Sequence, residues 1–133
     1  MRETILLINF TDKKQASDIK RIAMMNKIFC KEVSYEEYCQ PIGALAGIKE
    51  IYKEGEVYTG DPIEKEMMIF CGLPEHKLDA MLMKMRQNKV KRVNYKAVLT
   101  PTNIGWYIPD LYKELAKEHE AFQKGLPQVH QDQ

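Results

Sequence analysis

The stretch from Lys96 to Trp106 holds the residues of this sequence that are best suited to recognise a ligand. It reads Lys-Ala-Val-Leu-Thr-Pro-Thr-Asn followed by Ile-Gly-Trp, so a short apolar run ends in hydroxyl and amide groups. Thr100, Thr102 and Asn103 can bind through neutral hydrogen bonds. Lys96 adds a cation and Trp106 a ring. This combination suits a small polar or anionic ligand, and we predict no catalytic residue.

Similar residues follow the other apolar runs that we read as strands. Asn9 and Thr11 come after the first run, Gln40 comes after the second, and Gly72 ends the third. In an open parallel sheet, ligands bind beyond the carboxyl ends of the strands. We therefore expect one ligand-binding pocket, composed of Asn9, Thr11, Gln40, Gly72, Lys96, Thr100, Thr102, Asn103 and Trp106. The alternative is that the same polar residues cap helices and close turns.

Cysteine chemistry is the enzymatic alternative. Cys71 ends an apolar strand just before a predicted helix, where the helix dipole would stabilise a thiolate, and Lys96 or Tyr95 could assist it. However, the sequence places no histidine to activate this thiol, and a buried free cysteine commonly acts as a small apolar residue. The three histidines lack ligand spacing to the cysteines, and glycine-rich phosphate motifs are absent. We therefore predict no metal site and no cofactor.

The elements that position these residues alternate along the chain. Apolar runs predict strands at residues 4–10, 28–33, 67–72 and 93–99, and amphipathic segments predict helices at 12–27, from 74 onward and at 107–123. This order predicts an α/β fold, a small three-layer sandwich with a four-stranded, mainly parallel sheet. We favour the flavodoxin-like strand order 2-1-3-4. A ferredoxin-like arrangement is the alternative, because residues 34–66 could contain an edge strand.

The chain reads as one α/β domain at residues 1–124, with an irregular, helical, insertion-like segment at 34–66 and a disordered tail at 125–133. Its three cysteines form no Cys-x-x-Cys pair, which favours a reducing, cytoplasmic location. No apolar run is long enough to span a membrane. A net charge of +1 disfavours nucleic acid as a partner, and we read the basic stretch 84–96 as a solvated helix end.

Three segments resemble the small bacterial family catalogued as domain of unknown function 3783. They are Thr4–Phe10, Gln40–Gly47 and, above all, Lys96–Asn103 together with Trp106. The resemblance extends over nearly the whole chain, from about residue 4 to residue 122. It implies a cytoplasmic bacterial protein with no assigned activity, and it transfers no catalytic residue to this sequence.

The sequence favours a small ligand-binding or regulatory module over an autonomous enzyme. The predicted pocket offers neutral hydrogen-bonding groups without an acid, base or nucleophile pair. A protein-interaction or homodimer module, working through the acidic segment 49–66 or the basic segment 84–96, is one alternative. A thiol-dependent enzyme that uses Cys71 is the other.

Overall fold

The computed structural model describes residues 1–51 and 53–123, in which the predicted order of strands and helices is confirmed. The elements are β1 (Thr4–Ile8), α1 (Lys13–Met25), β2 (Phe29–Val33), a 3-10 turn (Tyr35–Glu37), α2 (Ile42–Leu45), β3 (Met67–Cys71), α3 (Glu75–Gln87), β4 (Tyr95–Val98) and α4 (Ile108–Gln123). Between residues 34 and 66 the described part is irregular and contains no strand. The predicted disordered tail at 125–133 lies outside the described residues.

The four strands form one open sheet in the predicted order, β2-β1-β3-β4. The outer pairs, β1 with β2 and β3 with β4, are parallel. The central pair is antiparallel, with Leu6 of β1 opposite Ile69 of β3. The carboxyl ends of β1 and β2 therefore lie at one edge of the sheet, and those of β3 and β4 lie at the opposite edge. This corrects the expectation that all four strands deliver their polar loops to one edge.

The reason for the antiparallel pair is the route of segment 34–66. The chain after β2 returns to the carboxyl end of β1, where the Asn9 side chain donates hydrogen bonds to the carbonyl oxygens of Ile63 (3.0 Å) and Lys65 (3.4 Å). β3 starts from there, so it must run against β1.

Helices cover both faces of the sheet, as a three-layer sandwich requires. Every residue of β1 and β3 is buried, which explains why both strands read as continuous apolar runs. Alternate residues point to opposite faces: Ile5 packs with α1 and α3 on one face, whereas Leu6 packs with α2 and α4 on the other. We call these the α1/α3 face and the α2/α4 face.

Local signals in the sequence account for the helix boundaries. The Asp12 carboxylate caps α1 by accepting a hydrogen bond from the backbone N–H of Gln15. Ser34 and Glu37 form a capping box around the 3-10 turn after β2. Among the described residues, no helix is both long and apolar enough to cross a membrane.

Candidate functional site

The loop after β4 is closed by its own side chains. The Asn103 side-chain oxygen accepts a hydrogen bond from the Thr100 backbone N–H (2.9 Å), and the Thr100 hydroxyl accepts one from the Asn103 N–H (3.2 Å). The Asn103 amide nitrogen donates to the Val98 carbonyl oxygen (3.0 Å). Asn103 is only 8% exposed. Both polar atoms of the Asn103 side chain are therefore used to close the turn, which is the alternative that the sequence left open.

The same loop anchors α2. The backbone N–H groups of Ile42 and Gly43 donate to the carbonyl oxygens of Trp106 (2.9 Å) and Ile104 (2.8 Å). A Cβ atom at Gly43 would lie 2.8 Å from the Ile104 Cγ1 atom and 2.5 Å from the Ile51 Cδ1 atom, so only glycine allows this approach. The segments 40–47 and 96–106, which the sequence singled out separately, are thus one packed unit.

The structure distributes the nine predicted pocket residues over several locations. Gly72, Thr100, Thr102, Asn103 and Trp106 lie at the edge where β3 and β4 end, whereas Asn9 and Thr11 lie beyond β1 at the opposite edge. The buried Gln40 side chain exchanges two hydrogen bonds with the backbone of Glu54, both 2.6 Å. Lys96 faces α3 and donates to the Val93 carbonyl oxygen (2.6 Å). A ligand contact for any of the nine stays a prediction.

Two of the three cysteines, Cys71 and Cys30, have thiols whose pKa is raised by burial. Burial raises the pKa of Cys71 to about 12. Burial likewise raises the pKa of Cys30 to about 11, partly offset by nearby Lys20. Both thiols are therefore protonated at neutral pH, which counts against Cys71 as a nucleophile. No cluster of three or more candidate metal ligands occurs within residues 1–51 and 53–123.

An open groove of about 760 Å³ lies above the edge strand β2, on the α2/α4 face. We call it the β2 groove. Its lining consists of Met1, Arg2, Thr4, Phe29, Lys31, residues 44–50 and Lys53. β2 forms the floor, and the chain that leaves α2 forms the wall. Gly47, with a φ of +90°, sets the turn of that wall.

The β2 groove combines an exposed aromatic floor with positive charge. Phe29 is 43% exposed, and the Arg2 guanidinium lies 4.1 Å from the centre of its ring. Lys31, Lys49 and Lys53 add three ammonium groups, whereas Glu50 is the single carboxylate in the lining. This composition suits a partner that carries both negative charge and an apolar surface.

One carboxylate beside the groove partly neutralises these cations. Glu37 lies 3.4 Å from the Lys31 ammonium and 4.0 Å from that of Lys53. Burial acts to raise the pKa of Glu37, but hydrogen bonds from the Ser34 backbone and attraction to Lys31 outweigh it, so the pKa is lowered. Even with this ionised group counted, the cations exceed the carboxylates by two.

The sequence reading missed the β2 groove. Its cations are spread from Arg2 to Lys53, so no local cluster marks them. The available signal was Phe29 together with Lys31: a large ring and a cation lie two residues apart, on one face of the strand that the predicted order 2-1-3-4 places at an edge of the sheet.

A second cavity, of about 420 Å³, lies where α3 ends beside β4. Arg86, Lys91, Arg92 and Lys96 line it with four apolar residues. Lys91 already lies 3.7 Å from the Asp12 carboxylate, and cations at the end of a helix complement its dipole. A solvated helix end therefore explains this cluster without a ligand.

No curated protein and no solved structure shows significant similarity to the chain. A family model does match residues 66–122, which contain β3, α3, β4 and α4. The match includes the segment 96–106 but not the segments 4–10 and 40–47, so it is shorter than the resemblance read from the sequence. The matched family is described as a domain of unknown function (DUF3783), and it is this family that the second half of the chain resembles.

Proposed function

We propose that this protein is a binding module and that the β2 groove receives a partner with negatively charged groups. The observation that carries the proposal is the excess of cations around an exposed aromatic floor in this groove. Exposed pairs contribute little individually. Several cations that converge on one groove attract an anion together, and they also raise its rate of association.

The raised thiol pKa values support binding over thiol chemistry. A nucleophilic cysteine needs a lowered pKa and access to solvent, whereas Cys71 is fully buried and its pKa is about 12. The proposal therefore keeps the sequence-based preference for a binding or regulatory module. It moves the site from the neutral loop around Asn103 to the β2 groove.

A thermal-shift titration with hexa-L-glutamate tests the proposal. Hexaglutamate at several times its dissociation constant should raise the unfolding temperature by a few degrees, and the shift should weaken as salt rises. The double variant Lys49→Glu/Lys53→Glu should lose the shift. The matched control is Lys84→Glu/Arg86→Glu, which makes the same charge change at the exposed end of α3 and should retain it. Equal shifts in both double variants would show that the β2 groove is not the site.

A further inference from the structure

The two halves of the sheet are related by a pseudo-twofold axis perpendicular to it. Each half contains two parallel strands connected by a 13-residue helix, and α1 contacts α3 on the same face. The antiparallel register places Leu6 opposite Ile69 at the centre, flanked symmetrically by the pairs Thr4–Cys71 and Ile8–Met67. The axis therefore passes between Leu6 and Ile69.

The ends of the two helices repeat in sequence and in detail. α1 is followed by Asn26-Lys27-Ile28 and α3 by Asn88-Lys89-Val90. Lys27 and Lys89 both have positive φ, 58° and 54°. The amide side chains of Asn26 and Asn88 donate to the carbonyl oxygen four residues earlier, at 2.8 Å and 2.7 Å.

The backbone bonds of these two helix ends also correspond. The next backbone N–H, of Ile28 or Val90, donates to the carbonyl oxygen five residues earlier, at 2.9 Å and 3.0 Å. These bonds and the left-handed lysine form the same C-cap twice. In topology the first half thus repeats the β-α-β-α unit that residues 66–122 form, and we call the two units the first and the second copy.

The copies differ in what covers the outer strand on the α2/α4 face. In the second copy the 16-residue helix α4 lies there, and Tyr95 of β4 packs its ring against Tyr112 (5.1 Å) and His119 (5.4 Å). The strand registers make Phe29 the counterpart of Tyr95. Within residues 1–51 and 53–123, Phe29 has no such helix above it, because the first copy supplies only the four residues of α2 there.

From this difference we infer that the β2 groove docks an amphipathic helix of a partner protein, acidic on its flanks, in the position that α4 occupies in the second copy. The inference rests on the proposed function and names the partner. An apolar stripe of the helix would cover Phe29, as α4 covers Tyr95. Acidic residues beside that stripe would meet Arg2, Lys49 and Lys53. This is the helix-in-groove mode of recognition.

A peptide derived from α4 is the probe for this inference. We use residues 107–123 with Lys113→Glu and Lys117→Glu, which keeps the packing stripe and makes the exposed side acidic. Fluorescence anisotropy of the labelled peptide with the full chain should show saturable binding. Lys49→Glu/Lys53→Glu and, separately, Phe29→Ala should each weaken the affinity by about tenfold or more. Lys84→Glu/Arg86→Glu and Phe122→Ala are the matched controls and should leave it unchanged.

A second peptide distinguishes a requirement for helical structure from a requirement for negative charge alone. The same acidic peptide with Ala116→Pro keeps its charge, but the proline prevents a continuous helix, so it should bind at least about tenfold more weakly. If both peptides bind equally, or if only hexaglutamate responds to the groove variants, the helix inference is wrong and the anion-binding proposal stands. If neither peptide nor hexaglutamate distinguishes the groove variants from their controls, both are wrong.

Discussion

The two outer strands of the sheet occupy corresponding positions but differ in what covers them. β4 is covered on the α2/α4 face by α4, and Tyr95 packs there between two rings. β2 occupies the corresponding position in the first unit, yet Phe29 is 43% exposed beside an open groove. The helix after the outer strand has 16 residues in one unit and four in the other. The outer strand of the second unit is therefore covered by a helix, and that of the first unit leaves an open surface.

The largest expected contrast concerns what packs on the rings of these two strands: Tyr112 of α4 on Tyr95, and an open groove on Phe29. Tyr112→Ala should lower the free energy of unfolding by about 3 kcal/mol, because it removes the packing on Tyr95 and the hydroxyl that accepts a hydrogen bond from the Lys65 backbone N–H (3.0 Å). Phe29→Ala should cost less than about 1 kcal/mol, since exposed side chains contribute little. Chemical denaturation of both variants measures the difference. Equal losses of stability would mean that the two outer strands are not packed differently.

The contact between the two units can be tested at one glycine. Gly43→Ala should cost about 2 to 3 kcal/mol, because the added methyl group meets Ile51, Ile104 and its backbone oxygen. Gly105→Ala is the control in the same region, since no atom of the described residues lies within 4 Å of a Cβ there. A Gly43→Ala protein as stable as the Gly105→Ala protein would contradict the described packing of α2 on the 104–106 loop.

The turns that follow the two outer strands should also differ in how much they contribute to stability. Asn103→Ala should cost about 2 kcal/mol, because it leaves the Thr100 N–H and the Val98 carbonyl oxygen without their partner. Ser34→Ala, at the exposed capping box after β2, should cost about 0.5 to 1 kcal/mol. Thermal unfolding compares the two. If Asn103→Ala leaves stability unchanged but abolishes the hexaglutamate shift, Asn103 contacts the ligand, as the sequence suggested, and our relocation of the site is wrong.

The smallest predicted change in stability should be the same in both units. Lys27→Gly and Lys89→Gly should each raise the free energy of unfolding by about 0.5 to 1 kcal/mol, because both lysines adopt the left-handed conformation that glycine prefers. Denaturant titration with the double variant should show additive gains, since the two sites belong to separate helix ends. A gain in stability at one lysine and a loss at the other would argue against the same C-cap at both helix ends.

The elements of this fold were predictable from the sequence, whereas the relative direction of the two halves of the sheet was not. Continuous apolar runs identified the central strands, and the order 2-1-3-4, favoured by analogy with flavodoxin-like folds, is confirmed. An apolar run such as Met67–Cys71 reads the same in either direction. The antiparallel pairing of β3 arises because segment 34–66 brings the chain back to the carboxyl end of β1. The hydrogen bonds of Asn9 at that point are tertiary contacts, which local sequence patterns do not reveal.

The candidate site was less predictable because exposure is a property of the assembled fold. Thr100 and Asn103 have the residue types of a binding loop, but the structure uses their side chains to close a turn. Phe29 lies in a predicted strand, and a strand assignment alone does not give its exposure. It is exposed because α2 ends after four residues and the chain turns away at Gly47. Propensity and periodicity do not determine how far a neighbouring helix extends.

The central claim is that the β2 groove binds an anionic partner, and chemical-shift mapping by NMR tests it most directly. Titration of the isotope-labelled protein with hexaglutamate should shift the backbone amide signals of Arg2, Phe29 and Lys31 and those of residues 44–50. The signals of α3 and of residues 88–96 should stay in place. Shifts confined to the basic end of α3, or no saturable shift in the groove, would contradict the account.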